Sequence, residues 1–295
     1  MSRSAVRRDW SGLLFVLPFL SAYLIILIYP LLRGMALSLQ RVDLFGGGRF
    51  VGLDNYARLV ADETFIRSIV NTFALALMIV PLLTVLALVL ALALNRATRG
   101  AAVFRGIFFS SSVLSVTIVT LIWRFVLAPD AGLLGELAQA GGVDPVPFLS
   151  HPRWSLWALA ITTIWWSIGL PMMLFLAGLQ QIPADIYEAA ALDRASRWTT
   201  FRRVTLPSLR RTVVLVIMLQ TAAQLQIFGQ AQLLTGGGPG GATRTMVLFI
   251  FESAFARWEL GYATAAAEIL FLLIVLLTLT QYMTTMRGSE RENGR

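Results

Sequence analysis

The chain has 295 residues and a formal net charge of +8, with 57% hydrophobic residues, 14% charged residues and a mean hydropathy of +0.73. A water-soluble domain carries about 25% charged and about 45–50% apolar residues, so this composition excludes a soluble globule and indicates a protein that faces lipid. The chain lacks cysteine and lysine and has His151 as its only histidine, which excludes thiolate chemistry, paired-histidine metal sites and the lysine-dependent phosphate loop of ATPases. We therefore expect no catalytic residue, metal or cofactor in this chain. The net charge needs no nucleic acid to explain it, since arginines beside anionic lipid suffice.

Six apolar stretches are long enough to cross a bilayer as helices, since a hydrocarbon core of about 30 Å requires about 20 apolar residues. In chain order they are Leu13–Leu32, Ile69–Leu94, Ile107–Leu127, Ser155–Leu179, Val213–Leu234 and Ala263–Met286. The first exceeds the apolar core of about 7–15 residues in a secretory signal and lacks a cleavage site, so we expect it to stay in the membrane. The sequence thus predicts an all-α fold, a polytopic bundle of six transmembrane helices over residues 13–286, with tails at residues 1–12 and 287–295.

The distribution of arginine predicts the orientation of this bundle. The two tails, residues 95–106 and residues 180–212 together hold 15 arginines, whereas the segments on the other side hold eight. Because arginines close to a helix end resist crossing the membrane, we expect both termini and the 180–212 segment to be cytoplasmic.

The segment 180–212 is predicted to form two short helices joined by a turn. Pro183 and Asp185 suit the first turn of one helix, Ser196 can cap the second, and Pro207 would break it. In the first helix, Glu188 precedes three alanines, so a carboxylate lies beside a small-residue face that could dock into another protein. An ordinary amphipathic linker helix is the alternative interpretation. The second helix carries an apolar stripe that could face the membrane surface or neighbouring spans, formed by Trp198, Phe201, Val204 and Leu209.

The run from Glu188 to Pro207 resembles the EAA loop of bacterial ABC importer permeases. The pattern of that family is Glu-Ala-Ala, three residues, Gly, nine residues and then Ile-x-Leu-Pro. The matching residues are Glu188, Ala189, Ala190, Leu206 and Pro207, with Val204 in place of the isoleucine. Arg194 stands where the family has glycine. If that glycine forms a left-handed turn, arginine costs about 1–2 kcal/mol there, unless the turn is rearranged.

Three further motifs are similar to those of sugar-type permeases, the group of the larger membrane subunit of the maltose importer. They are Gly52-Leu53-Asp54-Asn55-Tyr56 with Asn71-Thr72, then Thr235-Gly236-Gly237-Gly238-Pro239, and finally Gly261-Tyr262-Ala263. Since they lie in register with the predicted topology, the resemblance extends from about the first span to the last. It implies the architecture of a type I ABC importer permease in a bacterial inner membrane.

The resemblance also implies a mechanism and a set of partners. Two permease subunits form a pore, the second more often a related chain than a copy, and two cytoplasmic ATPases that bind ATP and Mg drive it. An external binding protein delivers the solute, and closure of the ATPases switches the pore from inward-facing to outward-facing. The ATPase contact would involve Tyr187, Glu188, Ala189, Ala190, Asp193, Arg194, Ala195, Leu206 and Pro207, with Glu188 paired to a basic group. The binding-protein contact would involve Gly237, Gly238 and Pro239.

Polar side chains within the spans are candidates for a solute path, because amides can both donate to and accept from sugar hydroxyls. Span five has five glutamines within thirteen residues, namely Gln220, Gln224, Gln226, Gln230 and Gln232. We select Gln226 and Gln230 first, followed by Gln224 and Asn71. The alternative is that these amides bond one helix to another.

Other polar and aromatic residues are interpreted as structural. Glu268 is expected to form an interfacial or interhelical bond, Arg124 to extend to the interface, and Trp165-Trp166 to pack between helices. The glycine-rich run 236–241 lacks lysine and follows a helix, so it predicts a flexible external turn and not a phosphate site. Residues 245–255 are too short to span and predict an external helix against the bundle.

Two other classes of function compete with an importer permease. A stand-alone secondary transporter or channel would show inverted repeats, broken helices with ion ligands at the midplane, and activity without nucleotide. The repeat is not evident, and only one acidic residue enters a span. A membrane enzyme would need a catalytic set that the spans and loops lack. Transport that requires an added ATPase and an external binding protein would distinguish an importer permease from both of these classes.

Overall fold

The computed structural model describes residues 10–42 and 47–293, with side chains described for residues 15–42 and 47–284. Most of the predicted tails, 1–12 and 287–295, therefore lies outside the described residues or their described side chains. Where the backbone of these tails is described, at residues 10–12 and 287–293, it is helical.

The described chain is helical apart from one hairpin. Its helices and strands are α1 (Trp10–Tyr23), α2 (Tyr29–Ser38), β1 (Gln40–Val42), β2 (Gly48–Phe50), α3 (Asp54–Ala61), α4 (Glu63–Leu94), α5 (Arg99–Ser111), α6 (Val116–Leu127), α7 (Leu133–Ala140), α8 (Pro152–Ser167), α9 (Gly169–Gln180), α10 (Ala184–Leu192), α11 (Arg197–Thr200), α12 (Leu206–Ser208), α13 (Arg210–Leu225), α14 (Met246–Phe251) and α15 (Leu260–Asn293). Short π-helical turns occupy Leu24–Ile28, Phe201–Thr205, Ala231–Thr235 and Glu252–Ala256. The antiparallel hairpin β1–β2, which pairs Gln40 with Phe50, was not predicted from the sequence.

The chain divides into two compact units, one formed by residues up to Ala61 together with Ile250–Ile269, and the other by Asp62–Phe249 together with the residues from Leu270 onward. The second unit is a helix bundle built around α4. Asp62 caps this helix by accepting hydrogen bonds from the backbone N–H groups of Thr64 and Phe65 at 2.8 and 3.3 Å. Residues four apart on α4 form a fully buried stripe against α8, α9 and α13, namely Leu75, Ile79, Leu83, Ala87 and Ala91. The two alanines allow neighbouring helices to approach closely, as small residues do in membrane bundles.

Five of the six predicted spans correspond to helices or bent helix pairs that are long and apolar enough to cross a bilayer. Residues 15–38, α4 and residues 260–284 are each long and apolar enough to cross a bilayer. The pairs α5–α6 and α8–α9 also qualify if each is taken as one span, although they bend by 99° and 47°. The second bend occurs at Gly169, where a Cβ atom would lie 2.7 Å from the Phe108 carbonyl oxygen, so only glycine permits this close approach.

The predicted span Val213–Leu234 is also interrupted, and it matches neither a helix nor a bent helix pair of spanning length. The helix α13 ends at Leu225, and the chain becomes helical again only at Gly229. A Cβ atom on Gly229 would lie 2.9 Å from the Val116 side chain, which shows that the backbone packs tightly against α6 beyond the break. The structure therefore replaces the predicted continuous span with a shorter helix, an open stretch and a π-helical turn at Ala231–Thr235.

The first unit contains α1, α2, the hairpin, α3 and residues 250–269. The buried Asn55 donates hydrogen bonds to the carbonyl oxygens of Ser38 and Gln40 at 2.8 and 2.9 Å, and Tyr56 donates to the Ser38 hydroxyl. Gly52, with φ of +57°, makes the turn that precedes α3. These contacts give the Gly52–Tyr56 motif a structural role in joining α3 to the end of α2.

An ion pair joins α3 to the start of α15 within the first unit. Arg58 donates to the Glu259 carboxylate at 3.0 Å and lies 4.5 Å from the centre of the Tyr262 ring. The hydrogen bond to Glu259 raises the pKa of the Arg58 guanidinium, so this group stays charged. Beside it, Gly261 packs against the backbone of Gln40 and leaves no space for a Cβ atom.

Candidate functional site

The helix α10 carries the residues that match the EAA pattern. Asp185 lies in its first turn, as predicted, whereas Pro183 directly precedes the helix and is not part of its first turn. Its C-terminus closes with two hydrogen bonds, from the Ala195 N–H to the Ala190 carbonyl and from the Arg194 N–H to the Ala191 carbonyl, both at 3.0 Å. This is the Schellman arrangement, and it requires the residue at position 194 to be left-handed. Arg194 has φ of +52°, so the turn is kept and not rearranged.

No residue of α10 is buried. Glu188 and Ala189 are exposed, Ala190 is half-buried, and the side chain of Leu192 is 86% exposed. Asp193 and Arg194 beyond it are exposed as well. The exposed surface of α10 therefore combines a leucine, a carboxylate and small side chains.

The helix α10 is held to the segment that follows it by a side-chain hydrogen bond. The hydroxyls of Tyr187 and Thr205 lie 3.2 Å apart, and Thr205 is buried. Ser196 caps α11 by accepting from the Thr199 N–H at 3.2 Å, which confirms the predicted cap. The next residues of the EAA pattern, Leu206 and Pro207, are exposed.

The prediction that Pro207 breaks the second helix was wrong. Pro207 lies in the first turn of α12, where its missing N–H is not needed, and the irregularity is shifted to the π-helical turn Phe201–Thr205 before it. The predicted apolar stripe also does not face one surface. Trp198 is 67% exposed and contacts the Phe201 ring, whereas Leu209 is fully buried in the bundle.

A cavity of about 400 Å³ lies beside the break after α13 and contains three of the four predicted solute-path residues. Gln224, Gln226 and Gln230 line it together with Val116, Trp166 and Ser167. An adjoining pocket of about 230 Å³ shares Trp166, Ser167 and Gln224 with it and adds Gln220 and Ser112. The cavity therefore lies where α13 ends, and glutamine amides supply much of its polar lining.

The glutamines differ in their hydrogen bonds and in their exposure. Gln224 donates to the Gln220 side-chain oxygen at 3.1 Å, and both are buried. Gln226 is exposed and donates to the Ala222 carbonyl of its own helix at 2.9 Å, whereas Gln230 is buried. Gln232 is exposed and lies outside both pockets.

Trp165 and Trp166, both expected to pack between helices, have different environments. Trp165 packs edge-on against Trp123, with ring centres 6.0 Å apart. Trp166 lines both pockets, and its indole N–H donates to the Leu114 carbonyl at 3.0 Å. The sequence did not separate these neighbours, because only the helix orientation decides which ring meets the cavity.

The fourth predicted path residue, Asn71, lies elsewhere and fixes the glycine-rich turn. Its amide donates to the carbonyl oxygens of Gly241 and Arg244 at 2.8 and 3.0 Å. The sequence predicted a flexible turn here, and the structure shows side-chain hydrogen bonds to this turn. The buried Thr243 donates to the Gly238 carbonyl at 2.8 Å and lies 2.7 Å from the Thr235 hydroxyl. Within the turn, Gly237 is buried, and Gly238 and Pro239 are half-buried.

Two charged residues and the segment 245–255 complete the predicted set. Glu268 is half-buried, and its carboxylate lies beside Gly34, 3.5 Å from where a Cβ atom of that glycine would be. Arg124 is exposed. The apolar residues Met246–Ala256 form a short helix below spanning length, as the sequence predicts.

Comparison with known proteins identifies the family. The family described as "Binding-protein-dependent transport system inner membrane component" matches residues 56–286. The probable ABC transporter permease protein YesP of Bacillus subtilis (strain 168) is 32% identical over 289 residues, which cover 96% of this chain and 93% of the relative. The trehalose/maltose transport system permease protein MalF of Thermococcus litoralis is 34% identical over 279 residues and 94% of each chain.

A solved structure shares the fold. In the crystal structure of a bacterial alginate ABC transporter in complex with an alginate pentasaccharide-bound periplasmic protein, one chain superposes with a TM-score of 0.85 at 24% identity, over 96% of each chain. Because the family match and the relatives span most of the sequence, the chain belongs to the binding-protein-dependent transport system inner membrane components and is an ABC transporter permease subunit, a transport component and not an enzyme.

Proposed function

We propose that this chain forms half of the translocation pore of an importer for a carbohydrate or sugar-like solute. The proposal is supported by the trehalose/maltose permease among its relatives and by the cavity at the end of α13, whose polar lining is largely amides. Amides offer donors and acceptors without a fixed charge, which suits neutral sugar hydroxyls.

The solute path passes Gln226 and Gln230, with Gln224 beside them and Trp166 as an apolar wall. Flat aromatic and amide surfaces together suit a sugar ring, which has both apolar and hydroxyl faces. Asn71 contributes indirectly, because its hydrogen bonds hold the glycine-rich turn.

The helix α10 is the point at which a separate ATPase drives the pore. This step is supported by three observations: no residue of α10 is buried, its end forms the Schellman hydrogen bonds, and Tyr187 is hydrogen-bonded to Thr205. In this proposal Glu188 pairs with a basic group on the ATPase, and the small side chains of Ala189 and Ala190 allow close approach. Asp193, Arg194 and Ala195 form the end of the contact, and Leu206 and Pro207 support it from the second helix.

The partners follow from this arrangement. Two cytoplasmic ATPase subunits supply ATP and Mg, a second and related permease chain completes the pore, and an external binding protein contacts the turn at Gly237, Gly238 and Pro239. Both termini and α10 are cytoplasmic, in a bacterial inner membrane, as the arginine distribution favours. A stand-alone transporter or channel is not favoured for a member of this family.

The experiment that tests the proposal is reconstitution of the chain with its partners, comparing wild type with Glu188→Gln. Losing one member of a buried ion pair costs about 3–5 kcal/mol, and every 1.4 kcal/mol is about tenfold, so solute-stimulated ATP hydrolysis should fall at least tenfold. Glu136→Gln, on the exposed side of α7, is the matched control and should leave hydrolysis unchanged. Full stimulation of the Glu188→Gln complex contradicts the proposal.

A further inference from the structure

A cavity of about 520 Å³ lies beside α10, and Glu188 is not among its lining residues. It is open on one side and is lined by α10, the segment that follows it and the last turn of α4. Its lining residues include Leu92, Tyr187, Ala191, Arg197, Phe201 and Thr205. Its volume falls within the range of about 300–1,000 Å³ that is typical of small-molecule sites.

The walls of this cavity are divided by polarity. Leu92, Ala191 and Phe201 supply the apolar part, and the bonded hydroxyls of Tyr187 and Thr205 supply neutral polar groups. Arg197 supplies the only formal charge among the lining residues. Its side chain is exposed and has no hydrogen bond or ion pair to any residue within 10–42 or 47–293. No carboxylate lines the cavity, so its chemistry favours an anion attached to an apolar body.

The position of the cavity relative to the membrane follows from the length of α4. The apolar run of this helix ends at Leu94 and is followed by Arg96 and Arg99. Since a run from residue 69 to residue 94 exceeds the length needed to cross the hydrocarbon core, Leu92 lies close to the boundary between acyl chains and headgroups. Basic pockets on the cytoplasmic side of membrane helices bind the headgroups of anionic lipids.

We propose that this cavity binds an anionic phospholipid, with the phosphate on Arg197 and the apolar part of the lipid against Leu92 and Phe201. An arginine-phosphate contact is a charge-assisted hydrogen bond, stronger than a neutral one. On α10, Tyr187 and Ala191 are four residues apart and face the lipid, whereas Glu188 and Leu192 lie on a neighbouring face. The bound lipid therefore holds α10 in place while its outward face stays free, and it does so whether or not an ATPase docks there.

Lipid retention by the purified full-length chain tests this site without any ATPase. The chain is reconstituted into nanodiscs of phosphatidylcholine and phosphatidylglycerol in equal parts, released into detergent and analysed by native mass spectrometry. Wild type should retain one phosphatidylglycerol in preference to phosphatidylcholine. Arg197→Gln should lose this retention at least several-fold, whereas the control Arg202→Gln, exposed and outside the cavity, should retain it within twofold.

A second variant tests the apolar wall. Leu92→Trp fills the cavity from α4 and keeps every charge, so it should also lose the retained lipid. Equal retention by Arg197→Gln and wild type overturns the proposal, as does equal loss in Arg197→Gln and Arg202→Gln, which would indicate diffuse charge attraction. Displacement of the lipid by inorganic phosphate alone also overturns it, because the site would then recognise a free anion and not a lipid.

Discussion

Arg194 combines a strained conformation with a required hydrogen-bond geometry. Among the described residues, only Arg194 and Trp258 are non-glycine residues with positive φ. A left-handed residue with a Cβ atom costs about 1–2 kcal/mol, and the Schellman bonds at the end of α10 require that conformation. The sequence predicted both the position and the cost, because a known pattern has glycine there, but only the structure shows that the turn survives.

Replacing this residue by glycine should therefore stabilise α10. Arg194→Gly removes the strain but increases the freedom of the unfolded chain, so we expect a net gain of about 1 kcal/mol. Hydrogen exchange of the α10 amides measures it and should slow down. Asp193→Gly, at a residue with an ordinary φ of −74°, is the control and should speed up exchange. Faster exchange in Arg194→Gly would contradict this account of the turn.

Substitution of Gln230 best distinguishes a role in the solute path from a role in helix–helix packing. It is buried and lines the cavity, and leucine matches its volume without hydrogen bonds. A lost hydrogen bond is worth about 1 kcal/mol, so Gln230→Leu should raise the half-saturating solute concentration for transport about fivefold. The exposed Gln139 of α7 provides the control, Gln139→Leu, which should transport normally. Lower thermal stability with unchanged solute dependence would assign Gln230 to helix adhesion instead.

At the scale of elements, apolar length and capping residues predicted helices well, because a span in lipid must be apolar and must satisfy its own backbone. The predicted cap at Ser196 is a local feature of this kind. The bends and breaks were not predicted, because they depend on contacts distant in sequence, such as Gly169 against Phe108 and Gly229 against Val116. The glutamine-lined cavity depends on one of these breaks, so its residues were predicted but its shape was not.

Two glycines in different elements should respond to alanine in opposite directions. Gly261 packs against the Gln40 backbone, so Gly261→Ala must displace it and should destabilise the protein by about 1–3 kcal/mol. Gly106 lies inside α5 with open space around it, so Gly106→Ala should stabilise by about 0.5–1 kcal/mol. Thermal unfolding in detergent measures both. Equal shifts of the same sign would contradict the close packing at Gly261.

At the scale of the whole molecule, composition alone placed the chain in the membrane, and the EAA pattern placed it in its family. The hairpin and the ordered glycine-rich turn could not be predicted this way, because strands of three residues and networks of threonine and asparagine leave no periodic signal. What the structure adds to the sequence is an exposed helix α10, hydrogen-bonded to the segment after it, and an open cavity whose polar lining includes glutamine amides.

The orientation and docking of α10 can be measured with a single reporter, because the chain has no cysteine of its own. Ala189→Cys on α10 and the control Glu136→Cys on α7 are treated with a membrane-impermeant maleimide in spheroplasts and in inverted membrane vesicles. We predict that Glu136→Cys is labelled only in spheroplasts and Ala189→Cys only in inverted vesicles, with the latter protected once the ATPase is assembled. Labelling of Ala189→Cys in spheroplasts, or labelling in inverted vesicles that the ATPase leaves unchanged, would contradict the proposal that α10 links this pore to its motor.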